Sequence, residues 1–208
     1  ILRCEILPPA EKFAGSLEYS NQRKLVAFPL KKNSVDFYED SIYYHLVYHK
    51  TVNGIMKVFY RRSKLVTMHT PNENIVWDAE KCISDSVYCF CCTDSSQKQL
   101  LNCGYPSLVV RKNSSGDPTV YVVFACKGNG TCFDAPLYNQ YGAAQIGIAE
   151  VMFNAETDYS NIPLGRIKHY VNGSDLAQWG TPMINASANN NYVCWSDSLR
   201  GIGVAYHS

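Results

Sequence analysis

The sequence predicts an all-β fold of antiparallel sheets stacked face to face and stapled by disulfide bonds. Short runs rich in Val, Ile, Tyr and Phe recur along the 208 residues, separated by Gly, Asn, Asp, Ser and Pro, which is the pattern of strands and turns. No helical periodicity persists beyond about two turns. Several runs are apolar on both faces and, without helices to cover them, need another sheet. We expect a single β-rich domain over residues 1–208, alone or as part of a larger ectodomain.

Ten strands are predicted, each a cluster of β-branched and aromatic residues bounded by turn residues. The first four are KLVAF at 24–28, IYYHLVY at 42–48, IMKVFYR at 55–61 and SVYCFCC at 86–92. The next three are PSLVVR at 106–111, TVYVVFAC at 119–126 and QIGIAEVMF at 145–153. The last three are GRIKHYV at 165–171, NYVCW at 191–195 and GIGVAY at 201–206. Short helices are predicted at 10–19 and 96–101.

Three copies of a similar strand pattern indicate an alternative architecture. KLVAF, IYYHLVYHK, IMKVFYRRS and NIVWD are echoed by PSLVV, TVYVVFACK, QIGIAEVMF and DLAQW, and a third copy begins with PMINAS, NYVCWSD and GIGVAYHS. Each copy resembles a blade of glycosidase- or sialidase-type propellers. SDLAQW at 174–179 resembles the Ser-x-Asp-Leu-x-x-Trp stretch of some five-bladed glycosidases, with Gly173 in place of the serine. Closed propellers take four to eight blades and this chain offers about three. We therefore predict a sandwich or irregular β fold, with a partial β-propeller as the alternative.

Composition excludes several classes of protein. Hydrophobic residues make up 46% of the chain, too many for a disordered protein. No stretch approaches the ~20 apolar residues of a transmembrane helix. The opening residues 1–11 contain Arg3, Cys4 and Glu5, which do not fit a signal peptide. The net charge of +1 argues against a nucleic-acid partner, which demands a basic surplus.

Cysteines and glycosylation sequons together predict the secretory pathway. Nine cysteines are many for a cytosolic chain of this size. Four Asn-x-Ser/Thr sequons fall in or next to polar, turn-like stretches where a glycan can stand in water. They are Asn113, Asn129, Asn172 and Asn185. We expect a glycoprotein that is secreted or lies on the extracellular face of a membrane or virion.

The stretch VYCFCCT at 87–93 concentrates three cysteines, and three interpretations compete. A zinc site needs paired cysteines at C-x2–4-C spacing, which is missing. A reactive thiol needs a nearby His, Arg or helix N-terminus, which the stretch does not supply. On a strand, Cys89 and Cys91 share one face with Cα atoms ~6.5 Å apart, so they do not bond each other, and Cys92 points to the other face. We therefore interpret the stretch as part of a disulfide framework.

One disulfide pairing can be predicted. In CKGNGTC, Gly128 and Gly130 allow the tight reversal that would join Cys126 to Cys132, with Asn129 at the tip. The partners of the other cysteines stay open. These are Cys4, Cys82, Cys89, Cys91, Cys92, Cys103 and Cys194. An odd count leaves one cysteine free or bonded to a partner chain or to sequence beyond this one.

No metal, cofactor or catalytic residue is predicted. His45 and His49 would form a metal pair on a helix, but their neighbours favour a strand, where they lie ~13 Å apart, so we interpret them as surface or edge histidines. Sugar hydrolysis needs two facing carboxylates. Nothing pairs any two of the conceivable acids, which we interpret as mostly solvated. These acids are Asp36, Glu39, Asp40, Asp78, Glu150 and Asp175.

The run KVFYRRSK at 57–64 carries four cations. Alternation on a strand would send Lys57 and Arg61 to one face, and Arg62 and Lys64 to the other. We interpret the run as a solvated edge strand whose charges deter aggregation. Attraction of an anionic glycan or an acidic partner is the alternative.

These observations favour an extracellular domain that works by binding a protein receptor or a cell-surface glycan, as viral attachment glycoproteins and cell-surface receptors do. The preferred contact segment is FDAPLYNQYGAA at 133–144, which is long, tyrosine-containing and free of sequons. Its contact candidates are Phe133, Leu137, Tyr138 and Tyr141. A secreted carbohydrate-active hydrolase of propeller type and a structural subunit of a larger ectodomain are the alternatives.

Overall fold

The structure of the protein is a computed structural model that describes residues 24–30, 41–67, 75–85, 102–113, 115, 117–127, 146–168, 183–186, 191–197 and 201–207. Within these ranges the chain is mostly antiparallel β-strand, which confirms the all-β prediction. The single helical element described there is a 3-10 turn at Tyr159–Asn161. The predicted helices at 10–19 and 96–101 and the predicted strand at 86–92 lie outside the described residues. Within those residues, no helix has the length and apolarity needed to cross a membrane.

The first sheet has five strands in the order β1-β2-β3-β5, with β4 paired to the start of β2. They are β1 (Leu25–Leu30), β2 (Ser41–Val52), β3 (Ile55–Arg62), β4 (Val66–Thr67) and β5 (Lys81–Cys82). Asn53 and Gly54 connect β2 to β3 with positive φ angles of 52° and 78°. Two successive residues with positive φ are the pattern of a two-residue type I′ hairpin turn.

The second and third sheets follow in chain order. The second contains β6 (Asn102–Lys112), β7 (Pro118–Lys127), β8 (Ile146–Asn154) and β9 (Arg166–Lys168). The third contains β10 (Met183–Ala186), β11 (Asn191–Asp197) and β12 (Gly201–His207). In both sheets each strand pairs with the next one along the chain, without a crossover. The first three runs of each sequence copy therefore form one antiparallel sheet. The fourth run of the first copy, NIVWD, contributes only an isolated bridge between Trp77 and Ser63, and DLAQW of the second copy lies outside the described residues.

The first two sheets share one buried core. Val47, Val58 and Tyr60 of the first sheet pack in the same cluster as Val122 and Phe124 of β7. Along β7 the alternate residues Tyr121 and Val123 are buried as well. Strand β7 is therefore covered on both faces, as its apolar sequence predicts. The third sheet adjoins the second through β10, which contacts both β6 and β7.

Gly165 marks a close approach between the first two sheets. Its backbone N donates a hydrogen bond to the carbonyl oxygen of Ile83 at 2.7 Å. A Cβ added at this glycine would lie 2.6 Å from Cζ of Phe124 and 3.2 Å from the Ile83 oxygen. A side chain therefore does not fit here unless one of the two sheets moves.

We expect Gly165→Ala to lower the free energy of unfolding by about 1–3 kcal/mol, because the added methyl group overpacks the core. Urea-induced unfolding followed by circular dichroism measures the change. The neighbouring Leu164 is exposed, so Leu164→Ala is a matched control that should stay within about 0.5 kcal/mol of the parent. Equal stability of Gly165→Ala and the parent would contradict this account of the packing.

Two interpretations of charged and polar residues in the first sheet are wrong. Strand β3 pairs with β2 on one side and β5 on the other, so the basic run does not form an edge strand. Its cations instead form ion pairs, Lys57 with Asp85 and Arg62 with Asp78. Strand geometry at His45 and His49 is confirmed, since both lie in β2, but both are buried rather than on the surface or at an edge.

Candidate functional site at the bulge of β6

Strand β6 is irregular near its beginning. Its pairing with β7 shifts register between Gly104 and Ser107, which is a β-bulge or a related irregularity. Within it, Tyr105 has a φ of 53°, in the left-handed region that residues other than glycine rarely adopt. Bulges and strained backbone of this kind are concentrated next to functional sites. The beginning of β6 is therefore the first candidate for a functional site.

His49 of β2 holds the bulge in place. The backbone N of Tyr105 donates a hydrogen bond to Nδ1 of His49 at 3.2 Å, and the two rings lie 5.4 Å apart. Because Nδ1 accepts this bond, the neutral ring carries its proton on Nε2. A Cβ at Gly104 would collide with the side chain of Met56 and approach that of His49. The backbone N of Met56 in turn donates to Oδ1 of Asn102 at 2.9 Å. The β2–β3 hairpin is thus joined to β6 at this end.

The two strands that flank the predicted contact segment, β7 and β8, meet at one end of the second sheet. Lys127, the last residue of β7, pairs with Asn102 on one side and with Ile146 on the other. The chain between Lys127 and Ile146 therefore connects two strand ends that lie near the bulge. Phe133, Leu137, Tyr138 and Tyr141 lie outside the described residues, so their own positions stay a prediction.

A second polar cluster lies around Arg62. Its Nη2 pairs with Oδ2 of Asp78 at 3.3 Å, and its Nη1 donates to the carbonyl oxygen of Ala155 beyond β8. The guanidinium carbon lies 4.7 Å from the ring centres of both Tyr43 and Tyr159. These contacts connect the first sheet to the second, so we interpret the cluster as an interlock between sheets.

His45 and Tyr60 form a buried pair beside this interlock. His45 Nδ1 and the Tyr60 hydroxyl are hydrogen-bonded at 2.8 Å, and His45 lies opposite Arg62 in the ladder. Burial, and then the Arg62 charge, lower the pKa of His45 to about 3, while burial raises the pKa of Tyr60 above its ordinary value. Burial and then the Lys24 charge lower the pKa of His49 to about 4. His45, Val47 and His49 are two residues apart on a strand and therefore share one face with an apolar residue, which was the sequence signal for the burial of both histidines.

We expect the free energy of unfolding to decrease as the pH falls from about 6.5 towards 4. In this interval the unfolded chain protonates His45 and His49, whose ordinary pKa is 6.5, while the folded protein keeps both neutral. Each histidine contributes at most about 1.4 kcal/mol per pH unit. Urea unfolding at several pH values measures the slope. His45→Gln, which does not titrate, should flatten it, and a slope equal to that of the parent would contradict this assignment.

The acids proposed for sugar hydrolysis do not form a recognisable pair among the described residues. Asp78 and Glu150 are both buried, so the interpretation as solvated acids is wrong for these two. Asp78 is already engaged by Arg62 and Lys64. The other four acids lie outside the described residues: Asp36, Glu39, Asp40 and Asp175. No group of three potential metal ligands occurs in the part of the chain that the structure describes.

The sequons divide between described and undescribed parts of the chain. Asn113 is exposed in the turn between β6 and β7, where its Oδ1 accepts hydrogen bonds from the backbone N of Ser115 and of Asp117, both at 2.9 Å. Asn185 lies in β10, one residue before the end of the strand and opposite Tyr192. Asn129 and Asn172 lie outside the described residues.

Three of the nine cysteines have described side chains, and no S–S bond joins any two of them. Cys82 is half-buried, and burial raises the pKa of its thiol. Cys103 and Cys126 face each other across β6 and β7, with their Sγ atoms 3.3 Å apart. Cys194 lies in β11. The remaining cysteines lie outside the described residues: Cys4, Cys89, Cys91, Cys92 and Cys132. The predicted Cys126–Cys132 pairing therefore stays a prediction.

No family model, curated protein or solved structure matches this chain. The function proposed below therefore rests on the residues of the chain itself.

Proposed function

We propose that this chain is an extracellular, N-glycosylated domain that binds a protein receptor or a cell-surface glycan through segment 133–144. The observation that carries the proposal is where the two strands that flank this segment meet. Both of its flanking strands end beside the β6 bulge, where Tyr105 is held in the left-handed region. A rigid sheet that presents a long, tyrosine-containing segment is a common arrangement for recognition.

The geometry of Asn113 supports the extracellular location. The turn that carries it is exposed, and the two hydrogen bonds to its Oδ1 orient the side chain. Glycosylation takes place on the other amide atom, Nδ2, which these two bonds do not use. A glycan at this turn would extend into water from the end of the β6–β7 hairpin.

The order of the strands supports an arrangement in which each stacked sheet corresponds to one propeller blade. In Greek-key sandwiches a strand returns by a long connection to lie beside an earlier one, whereas the second and third sheets here connect neighbours only. Strand β6 of the second sheet contacts both β2 of the first and β10 of the third. We therefore favour the partial β-propeller over the sandwich. This arrangement fits the binding domain and equally the structural subunit of a larger ectodomain.

The hydrolase alternative receives less support. In a propeller-type hydrolase we would expect two carboxylates that face a cleft and are available to a substrate. Asp78 is committed to two cations and buried between the first and second sheets. Of the six acids considered for hydrolysis, any pair that excludes Asp78 would include at least one acid outside the described residues.

The binding proposal is tested with the chain secreted from mammalian cells. Binding is measured on glycan arrays and on a panel of cell surfaces, for the parent and for a Tyr138→Ala/Tyr141→Ala variant. We expect the variant to lose about tenfold or more in affinity without a change in thermal stability. Val76→Ser, at an exposed apolar residue between β4 and β5, is the matched control and should bind like the parent. Unchanged binding by the tyrosine variant would refute this choice of segment.

We expect Ser115→Ala to remove one glycan from the secreted chain. The substitution destroys the Asn113 sequon, yet the turn keeps both hydrogen bonds to Oδ1 because the backbone N atoms donate them. Intact mass before and after glycosidase treatment measures the loss, and thermal stability of the deglycosylated chains should agree. Ser114→Ala preserves the sequon and is the matched control. A Ser115→Ala chain that keeps the full glycan mass would show that Asn113 is not modified.

A further inference from the structure

We propose that Cys103 and Cys126 form a disulfide bond that joins β6 to β7 at the base of segment 128–145. This pairing differs from the Cys126–Cys132 bond that the short CKGNGTC loop predicts. It makes Cys103 the bonded cysteine of Cys126 and returns Cys132 to the cysteines whose disulfide partners the sequence leaves open. The bond would fix the two strands from which the proposed contact segment and the bulge arise.

The backbone geometry suits a bond. Cys103 and Cys126 are direct partners in the antiparallel ladder. Directly opposed residues in such a ladder have Cα atoms about 4.5 or 5.5 Å apart, and both spacings fall in the range of about 4.4–6.8 Å that disulfides span. Side chains of directly opposed residues also point to the same face of the sheet. No change of strand register is therefore needed to join them.

The sulfur positions agree with this backbone geometry. The two Sγ atoms lie 3.3 Å apart, and an S–S bond of about 2.05 Å needs an approach of roughly 1.3 Å. Both residues are buried in the core that the first two sheets share, alongside Leu108 and Phe124. Once formed, the bond would therefore be shielded from reductants in solution.

Bond formation is a two-electron oxidation by an oxidant of the disulfide class. One thiolate attacks a sulfur of the oxidant's disulfide and forms a mixed disulfide, and the second thiolate then displaces the oxidant's remaining sulfur. The two cysteines lose two protons and two electrons, and the oxidant leaves as two thiols. In the cell this step needs the oxidising compartment of the proposed function, but oxidised glutathione supplies the same chemistry in vitro. The pairing can therefore be tested independently of location.

The first test maps the bonds directly. The full chain is reduced, unfolded and refolded in a buffer of oxidised and reduced glutathione, and remaining thiols are trapped with N-ethylmaleimide. Proteolysis without reduction, followed by mass spectrometry, should give a linked peptide pair that contains Cys103 and Cys126. The Cys132→Ala variant should give the same pair. A Cys126–Cys132 link, or N-ethylmaleimide on both Cys103 and Cys126, would overturn the proposal.

The second test is thermal unfolding of a Cys103→Ala/Cys126→Ala variant with and without reductant. We expect the variant to unfold about 6–12 °C below the oxidised parent, because the bond closes a chain segment with a sequence separation of 23 residues. Parent protein that is unfolded and refolded in reductant, so that the shielded bond never forms, should lose more than half of this difference in melting temperature. An equal difference in melting temperature with and without reductant would mean that the two cysteines stabilise the core by packing and not through a bond. Absence of glycans on the secreted chain would count against the proposed location, whereas these two measurements would stand.

Discussion

Replacing Arg62 by alanine is expected to lower the free energy of unfolding by about 3–5 kcal/mol. The side chain of Arg62 is 13% exposed and that of its partner Asp78 is 7% exposed. Among the ion pairs of the described residues, removing the guanidinium leaves the interior Asp78 carboxylate with the Lys64 ammonium. It also removes the donor to Ala155 and the contacts with two tyrosine rings. Two links from the first sheet to the chain that follows β8, at Ala155 and Tyr159, would be lost in one substitution.

Urea unfolding of Lys64→Ala is the matched control for this prediction. Lys64 pairs with the same carboxylate of Asp78, but its side chain is 65% exposed. An exposed ion pair contributes little because water already solvates the cation, so we expect a loss below about 1 kcal/mol. Arg62→Met/Asp78→Leu removes both buried charges and should recover most of the stability lost in Arg62→Ala. Equal losses for Lys64→Ala and Arg62→Ala would show that burial of Arg62 is not what matters.

Phe124→Ala is expected to cost about 3–5 kcal/mol, because it empties the space of a fully buried aromatic ring. Phe124 is in the shared core at the point where Gly165 approaches Ile83. The cavity in Phe124→Ala would make room for the Cβ that Gly165 cannot carry in the parent. In that background Gly165→Ala should therefore cost about 1 kcal/mol or less.

Four chains give the double-mutant cycle: the parent, each single variant and the double variant, compared by urea unfolding. Met152→Ala is the control for loss of a large apolar side chain, because Met152 lies in the adjacent strand β8 but is exposed. It should stay within about 0.5 kcal/mol of the parent. Strictly additive effects of Phe124→Ala and Gly165→Ala would show that the two residues do not contact each other in solution.

The sequence predicted most of the described strands, and local physical chemistry explains why. A strand is recognised from the alternation and β-branching of its own residues, so runs such as 42–48 and 119–126 required no knowledge of their neighbours. The apolar pattern of β7 also indicated burial on both faces, which the structure confirms. The three sequence copies correspond to three sheets because each sheet pairs strands that are close in sequence.

The candidate site was predicted only in part. Segment 133–144 was selected for its length and tyrosines, but the bulge that its ends adjoin depends on how β6 pairs with β7, about which local composition says little. The burial of His45 and His49 was missed because histidine is more often polar surface than core. Their spacing of two residues from Val47 shows that both share its face of the strand, but whether that face is covered depends on the second sheet, which packs against Val47.

The sequence itself determined the strand content, the antiparallel fold class and the threefold strand repeat. These features follow from residues that are near one another in the chain. The register of each strand pair and the neighbours of each strand in its sheet were decided only by tertiary structure. Strand β3 has a partner on each side, and Cys103 lies opposite Cys126 rather than beside a sequence neighbour. Such pairings depend on residues beyond the strand itself, and their free energy comes from the packing of whole sheets, which no local pattern contains.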